Sequence, residues 1–139
     1  MNSFTPIIEP GPETILVIDD HAELCEIAAL FLGRCGYLVI MANNGEQAKK
    51  IAHENTNIDL LLTDVEMPGM TGNELAQWFR AARPHAAVVF MSGNKMPRER
   101  LEPCHFVEKP FIRLDTLLNT IREALHQRRA VYQTTSIAA

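Results

Sequence analysis

The sequence predicts a doubly wound α/β domain built on a five-stranded parallel sheet. Five short apolar runs alternate along the 139 residues with stretches of helical apolar spacing. Two of these runs, Thr14–Ile18 and Ile58–Thr63, are almost continuously apolar, as suits strands buried on both faces. Both stop at carboxylates, Asp19-Asp20 and Asp64. Ligands of open parallel sheets bind outside the carboxyl ends of the strands.

The elements follow in order. Residues 1–12 are rich in proline and read as a flexible leader. Residues 13–129 read as one domain, and residues 130–139 as a flexible tail. After the first strand, His21-Ala22-Glu23 opens a helix with Leu24, Ile27, Ala28, Phe31 and Leu32 inward. Asp20 could cap it, and Gly36 marks its end. Tyr37–Met41 is the second strand. Asn43 and Glu46 have capping-box spacing at the start of the second helix, which places Ala48 and Ile51 inward.

The third strand breaks after Asp64 into a Pro68-Gly69 turn. Thr71 and Glu74 form a capping box for the third helix, which carries Leu75, Trp78 and Phe79 and ends before Pro84. Ala86–Met91 is the fourth strand, followed by Ser92-Gly93. The crossover from Asn94 to Glu102 holds Pro97, so the fourth helix is predicted to be shortened or irregular. Cys104–Val107 is the fifth strand, followed by Glu108-Lys109-Pro110. A last amphipathic helix carries Leu114, Leu117, Leu118, Ile121 and Leu125.

Composition limits the function classes. With 47% hydrophobic and 22% charged residues the chain can bury a substantial core. A formal net charge of -4 gives no electrostatic case for nucleic-acid or membrane binding. No apolar stretch is long enough to cross a bilayer, and no signal peptide is present, so a cytoplasmic location is expected. Cys25, Cys35 and Cys104 are too widely spaced for a redox or zinc motif.

The strand ends carry the chemistry. Strands one, three, four and five finish near an acidic pair, an Asp, a Ser and a Lys. If those strands are neighbours, these groups meet at one edge. Three gathered carboxylates either raise their pKa values or hold a hard divalent cation. Asp64 can attack a phosphoryl group as a carboxylate nucleophile. Ser92 can donate to one phosphoryl oxygen, and Lys109 can place a point charge on another.

The set Asp19-Asp20, Asp64 with Met67-Pro68-Gly69, Ser92, and Lys109-Pro110-Phe111 resembles the receiver domain of two-component response regulators. The likeness spans about residues 13–127, and its wording is closest to receivers of hybrid histidine kinases or their stand-alone relatives. It implies a flavodoxin-like strand order, 2-1-3-4-5. It implies that Asp64 accepts a phosphoryl group from a histidine kinase or a histidine phosphotransfer protein. Mg²⁺ or Mn²⁺ would be held by Asp20, Asp64 and the backbone carbonyl of Glu66, with Asp19 reaching it through water. Ser92 would move toward the phosphoryl group while Phe106, where Tyr is common, turns inward. The bond before Pro110 would be cis. Glu66 and Asn94, flanking the site, would influence phosphoryl lifetime.

Two departures from the family pattern stand out. Ser92 and Lys109 are 17 positions apart, short of the usual receiver by roughly one helical turn. An output face built mainly from the first helix, the last helix or the loops is therefore expected. Gly93 stands where the family commonly has Ala, which gives the phosphoryl group room. The expected protein is a stand-alone receiver, a monomer or weak dimer, that switches contacts with a downstream protein and catalyses only its own phosphorylation and dephosphorylation. An excised receiver of a hybrid histidine kinase and a metal-dependent aspartyl phosphatase are the competing readings.

Overall fold

The computed structural model describes residues 12–93, 105–109 and 113–138, with side chains as far as Arg128. In chain order the elements are β1 (Thr14–Ile18), α1 (Ala22–Arg34), β2 (Leu38–Ala42), α2 (Gly45–Glu54), β3 (Ile58–Asp64), α3 (Gly72–Ala82), β4 (Ala87–Ser92), β5 (His105–Glu108) and α4 (Leu114–Ala138). The sheet is parallel throughout, in the order β2-β1-β3-β4-β5. The expected fourth helix, Asn94 and Pro110 lie outside the described residues.

The alternation of side chains along each strand divides the core in two. One layer joins Ile15, Val17, Leu60 and Leu62 to Cys25, Ala28 and Leu32 of α1 and to Leu117 and Ile121 of α4. The other joins Leu16, Ile18, Leu61 and Phe90 to Ala48 and Ala52 of α2 and to Leu75 and Phe79 of α3. β3 and β4 sit between both layers, which explains why their sequences lack polar alternation. Each fully buried Leu or Ile contributes roughly 1.5–3 kcal/mol.

Several local details differ from expectation. α2 is capped by Asn44, not Asn43: the Asn44 side chain accepts from the Gln47 N–H, and Gln47 Oε1 accepts from the Asn43 N–H at 2.7 Å. Two adjacent asparagines each had an acidic or amide partner three residues on, and the extended backbone of Asn44 decides between them. Asp20 does not cap α1. The cap position is His21, whose N–H is accepted by Asp19 Oδ1 at 2.9 Å.

Ile27 is 48% exposed, and Cys25 takes the central inward position on α1. The apolar stripe on this helix is wider than the face the sheet covers. α4 runs to Ala138, beyond Arg129 where the last helix was expected to give way to a tail. No Gly or Pro interrupts Leu114–Ala138, so nothing in the local chemistry ends it sooner. The Thr71–Glu74 capping box forms in full. Gly36 adopts φ +103° after α1, where any side chain would be strained.

Candidate functional site

The parallel register brings four strand ends to one edge. Ile18 pairs with Thr63, Asp64 with Met91, and Ser92 with Glu108. Asp19, Asp64, Ser92 and Lys109 therefore emerge at the same level. Asp19, Asp64 and Ser92 are buried. Lys109 donates its backbone N–H to the Ser92 carbonyl at 2.9 Å, which fixes where its side chain starts. Its Nζ then reaches Asp19 Oδ2 at 2.9 Å and Asp64 Oδ2 at 3.1 Å.

One ammonium thus bridges two buried carboxylates. A buried carboxylate without such a partner would be costly. Burial pushes the Asp64 carboxyl above its ordinary value. The hydrogen bond and charge of Lys109 work against that rise, and the nearby Asp19 adds to it. For Lys109, burial disfavours the ammonium, but its bonds to Asp19 and Asp64 outweigh that and raise its pKa.

The loop after β3 closes the site from below. Asp64 Oδ1 accepts the Glu66 N–H at 3.3 Å. Gly69 takes φ +85°, and the Gly72 N–H returns to the Val65 carbonyl at 2.9 Å. The resulting hollow, about 300 Å³, is lined by His21, Leu24, Asp64, Glu66, Ser92, Gly93 and Lys109. Asp20 stands exposed at its rim.

Among the sequence-predicted residues, Phe106 is not part of this lining. It is half-buried on β5, pairs with Phe90 across the strands and packs on the α2–α3 layer. His21 and Leu24 were not among the sequence-predicted site residues: His21 directly follows the acidic pair, and Leu24 was read only as an inward residue of the helix. Ligand atoms of Asp19, Asp20, His21 and Asp64 lie within 4.8 Å of one another, close enough to share one cation. Three carboxylates in this set suit a hard divalent ion.

The chain belongs to the response regulator receiver domain family, whose model matches residues 15–122. It is 31% identical over 112 residues to the autoinducer 1 sensor kinase/phosphatase LuxN of Vibrio campbellii, an alignment covering 81% of this chain and 13% of LuxN. It is 34% identical over 114 residues to the sensor histidine kinase RcsC of Salmonella typhimurium, covering 77% of this chain and 12% of RcsC. Among solved structures, the receiver domain of the hybrid histidine kinase CckA is 36% identical, with a TM-score of 0.70, and the match covers 81% of this chain and 98% of that one. Domains of this family are phosphorylation switches in two-component signalling.

Proposed function

We propose that the chain accepts a phosphoryl group on Asp64 from a phosphohistidine of a histidine kinase or a histidine phosphotransfer protein. A carboxylate oxygen of Asp64 forms the new O–P bond as the P–N bond breaks, and the donor imidazole leaves. The observation that carries this reading is Lys109 Nζ, placed between Asp19 and Asp64 at hydrogen-bond distance from both. An ammonium there can follow the charge that builds on the incoming phosphoryl oxygens. Ser92 lines the same hollow and would offer its hydroxyl to a phosphoryl oxygen there.

Mg²⁺ or Mn²⁺ fits the acidic cluster, with Asp19, Asp20, Asp64 and the Glu66 carbonyl as the residues that would hold it. When bound, the cation neutralises charge on the phosphoryl oxygens. Glu66 and Asn94 then influence how long the phosphoryl group lasts, Gly93 leaves room for it, and Phe106 and Ser92 relay the change.

The donor needs a surface beside the hollow. Leu24 lines the hollow, and the apolar stripe continues along α1 to Ile27 and Leu30, which are 48% and 61% exposed. Such a stripe fits the apolar helix of a phosphohistidine carrier. The domain works in the cytoplasm as a switch of protein contacts, without turnover of a separate substrate. No helix among the described residues is long and apolar enough to cross a membrane.

A second reading makes this a receiver that serves within a sensor kinase. It is favoured by the 36% identity to the CckA receiver and by the small share of LuxN that the chain spans. The two readings share the same chemistry at Asp64. Incubation with a radiolabelled phosphohistidine donor and Mg²⁺ tests both. Label is expected on wild type and absent from Asp64→Asn. Equal label on the two proteins overturns the assignment.

A further inference from the structure

We infer that His21 is a nitrogen ligand of the cation in the acidic cluster and tilts the site from Mg²⁺ toward Ni²⁺ and Cu²⁺. The inference rests on the reading of that cluster as the receiver's cation site. His21 Nδ1 lies 3.3 Å from Asp19 Oδ1 and 3.4 Å from Asp20 Oδ1. Adjacent ligands of an octahedral ion with bonds of about 2.1 Å stand about 3.0 Å apart. The nitrogen is thus a few tenths of an ångström beyond the edge spacing of a shared coordination sphere.

The whole set has the dimensions of one ion. The ligand atoms of Asp19, Asp20, His21 and Asp64 are all within 4.8 Å of one another. Opposite ligands of an octahedral ion are about 4.2 Å apart. Lys109 engages the Oδ2 atoms of Asp19 and Asp64, while Asp19 Oδ1 faces the His21 ring.

Local structure explains why the ring is available. His21 is the cap residue of α1, and its N–H is tied to Asp19 Oδ1 at 2.9 Å, which anchors its backbone at the site. Its side chain makes no capping bond and is 66% exposed, so it can turn onto a cation without disturbing the core. Nδ1 would bind through its lone pair with the ring proton on Nε2.

Imidazole suits Ni²⁺ and Cu²⁺, whereas Mg²⁺ and Mn²⁺ favour carboxylate, carbonyl and water. A Mg²⁺ ion would leave the His21 position to water. A borderline cation would take the nitrogen.

The test is direct cation binding to the full chain by wild type, His21→Ala and Asp20→Asn, using Mg²⁺, Ni²⁺ and Cu²⁺ separately. Pulsed electron paramagnetic resonance on the Cu²⁺ forms supplies the second readout. His21→Ala is expected to weaken Ni²⁺ binding about tenfold or more while barely changing Mg²⁺. A directly bonded ¹⁴N coupling is expected in wild type and absent from His21→Ala. Equal losses for Mg²⁺ and Ni²⁺, or wild-type Cu²⁺ without that coupling, overturn the inference. Asp20→Asn must weaken all three cations. If it weakens none, the acidic-cluster reading itself fails, and the selectivity falls with it.

Discussion

Gly72 sits so close to Asp64 that a Cβ on it would stand 1.9 Å from the Asp64 carbonyl oxygen. The obstructing atom is backbone, so no side chain can yield. The first turn of α3 is thus seated directly on the strand end that carries the proposed phosphoacceptor.

Gly72→Ala must push α3 away from β3 or shift Asp64 itself. The expected cost is about 1–3 kcal/mol or more, with slower phosphorylation. Gly33→Ala is the control, because nothing lies within 4 Å of its Cβ position inside α1. That change is expected to stabilise by about 0.4–1 kcal/mol. Urea unfolding midpoints of the two variants should move in opposite directions.

Asp64→Asn should stabilise the cation-free domain while abolishing phosphorylation. Burial raises the Asp64 carboxyl, so the folded state disfavours its charged form. The sign follows from linkage. A raised acid is most favourable to folding when protonated, and its contribution falls as pH rises from 3.8 through the raised folded value. Asn shows no such fall. A gain on the order of 1 kcal/mol at pH 7 is expected in chelator. Saturating Mg²⁺ should stabilise wild type and cancel or reverse the difference. Thermal melts with chelator and with Mg²⁺ measure both arms.

The strands were legible because burial on both faces leaves unbroken apolar runs, and β1 and β3 show this plainly. Thr71 and Glu74 were legible because a capping box is written in local spacing. Asn44 was not, since Asn43 satisfies the same local pattern and only backbone conformation chooses between them. Asp64 could be picked out as the end of an apolar run. The bridge that Lys109 makes to Asp19 depends on the order of strands, which spacing does not encode. His21 carries no signal by itself, because a lone histidine at a helix start is ordinary. The intolerance of Gly72 to any side chain is a property of three-dimensional approach and leaves no trace in the sequence.

Cys25 should make the fold less stable in alkali. The residue is 1% exposed in the core, with its Sγ near the Val17 and Ala42 carbonyls at 3.7 and 3.9 Å. Burial, with the charge of Asp19, raises its thiol from 9.0 to about 11. Between those values the unfolded chain releases the proton and the folded one keeps it. Stability therefore declines as pH rises through that window, with a slope of at most about 1.4 kcal/mol per pH unit from this group. Raising of the Lys109 pKa acts in the same direction, because its contribution is full below 10.5 and is lost above it. Cys25→Ala should flatten the decline between pH 9 and pH 10, leaving the loss from Lys109 at higher pH. Urea midpoints measured across that range report the difference.

Arg83 ties the ends of two helices together through a single nitrogen. It follows α3, and its Nη2 donates to the carbonyls of Ala52 and Asn55 at the end of α2, the latter at 3.0 Å. These are carbonyls that the end of α2 cannot satisfy itself. Its guanidinium also lies over the Phe79 ring, 5.6 Å from the centroid. The Nε of the same side chain is buried without a hydrogen-bond partner among the described residues. Arg83→Ala should cost about 1–3 kcal/mol through the two abandoned carbonyls. Lysine has three donors on one nitrogen and no Nε–H to bury. Arg83→Lys should therefore retain more than half of the stability that Arg83→Ala loses, although such an exchange usually fails where both arms of the guanidinium bond. Denaturant midpoints for the pair decide it. Equal losses in the two variants would place the value of Arg83 in its stacking on Phe79 and not in the capped carbonyls.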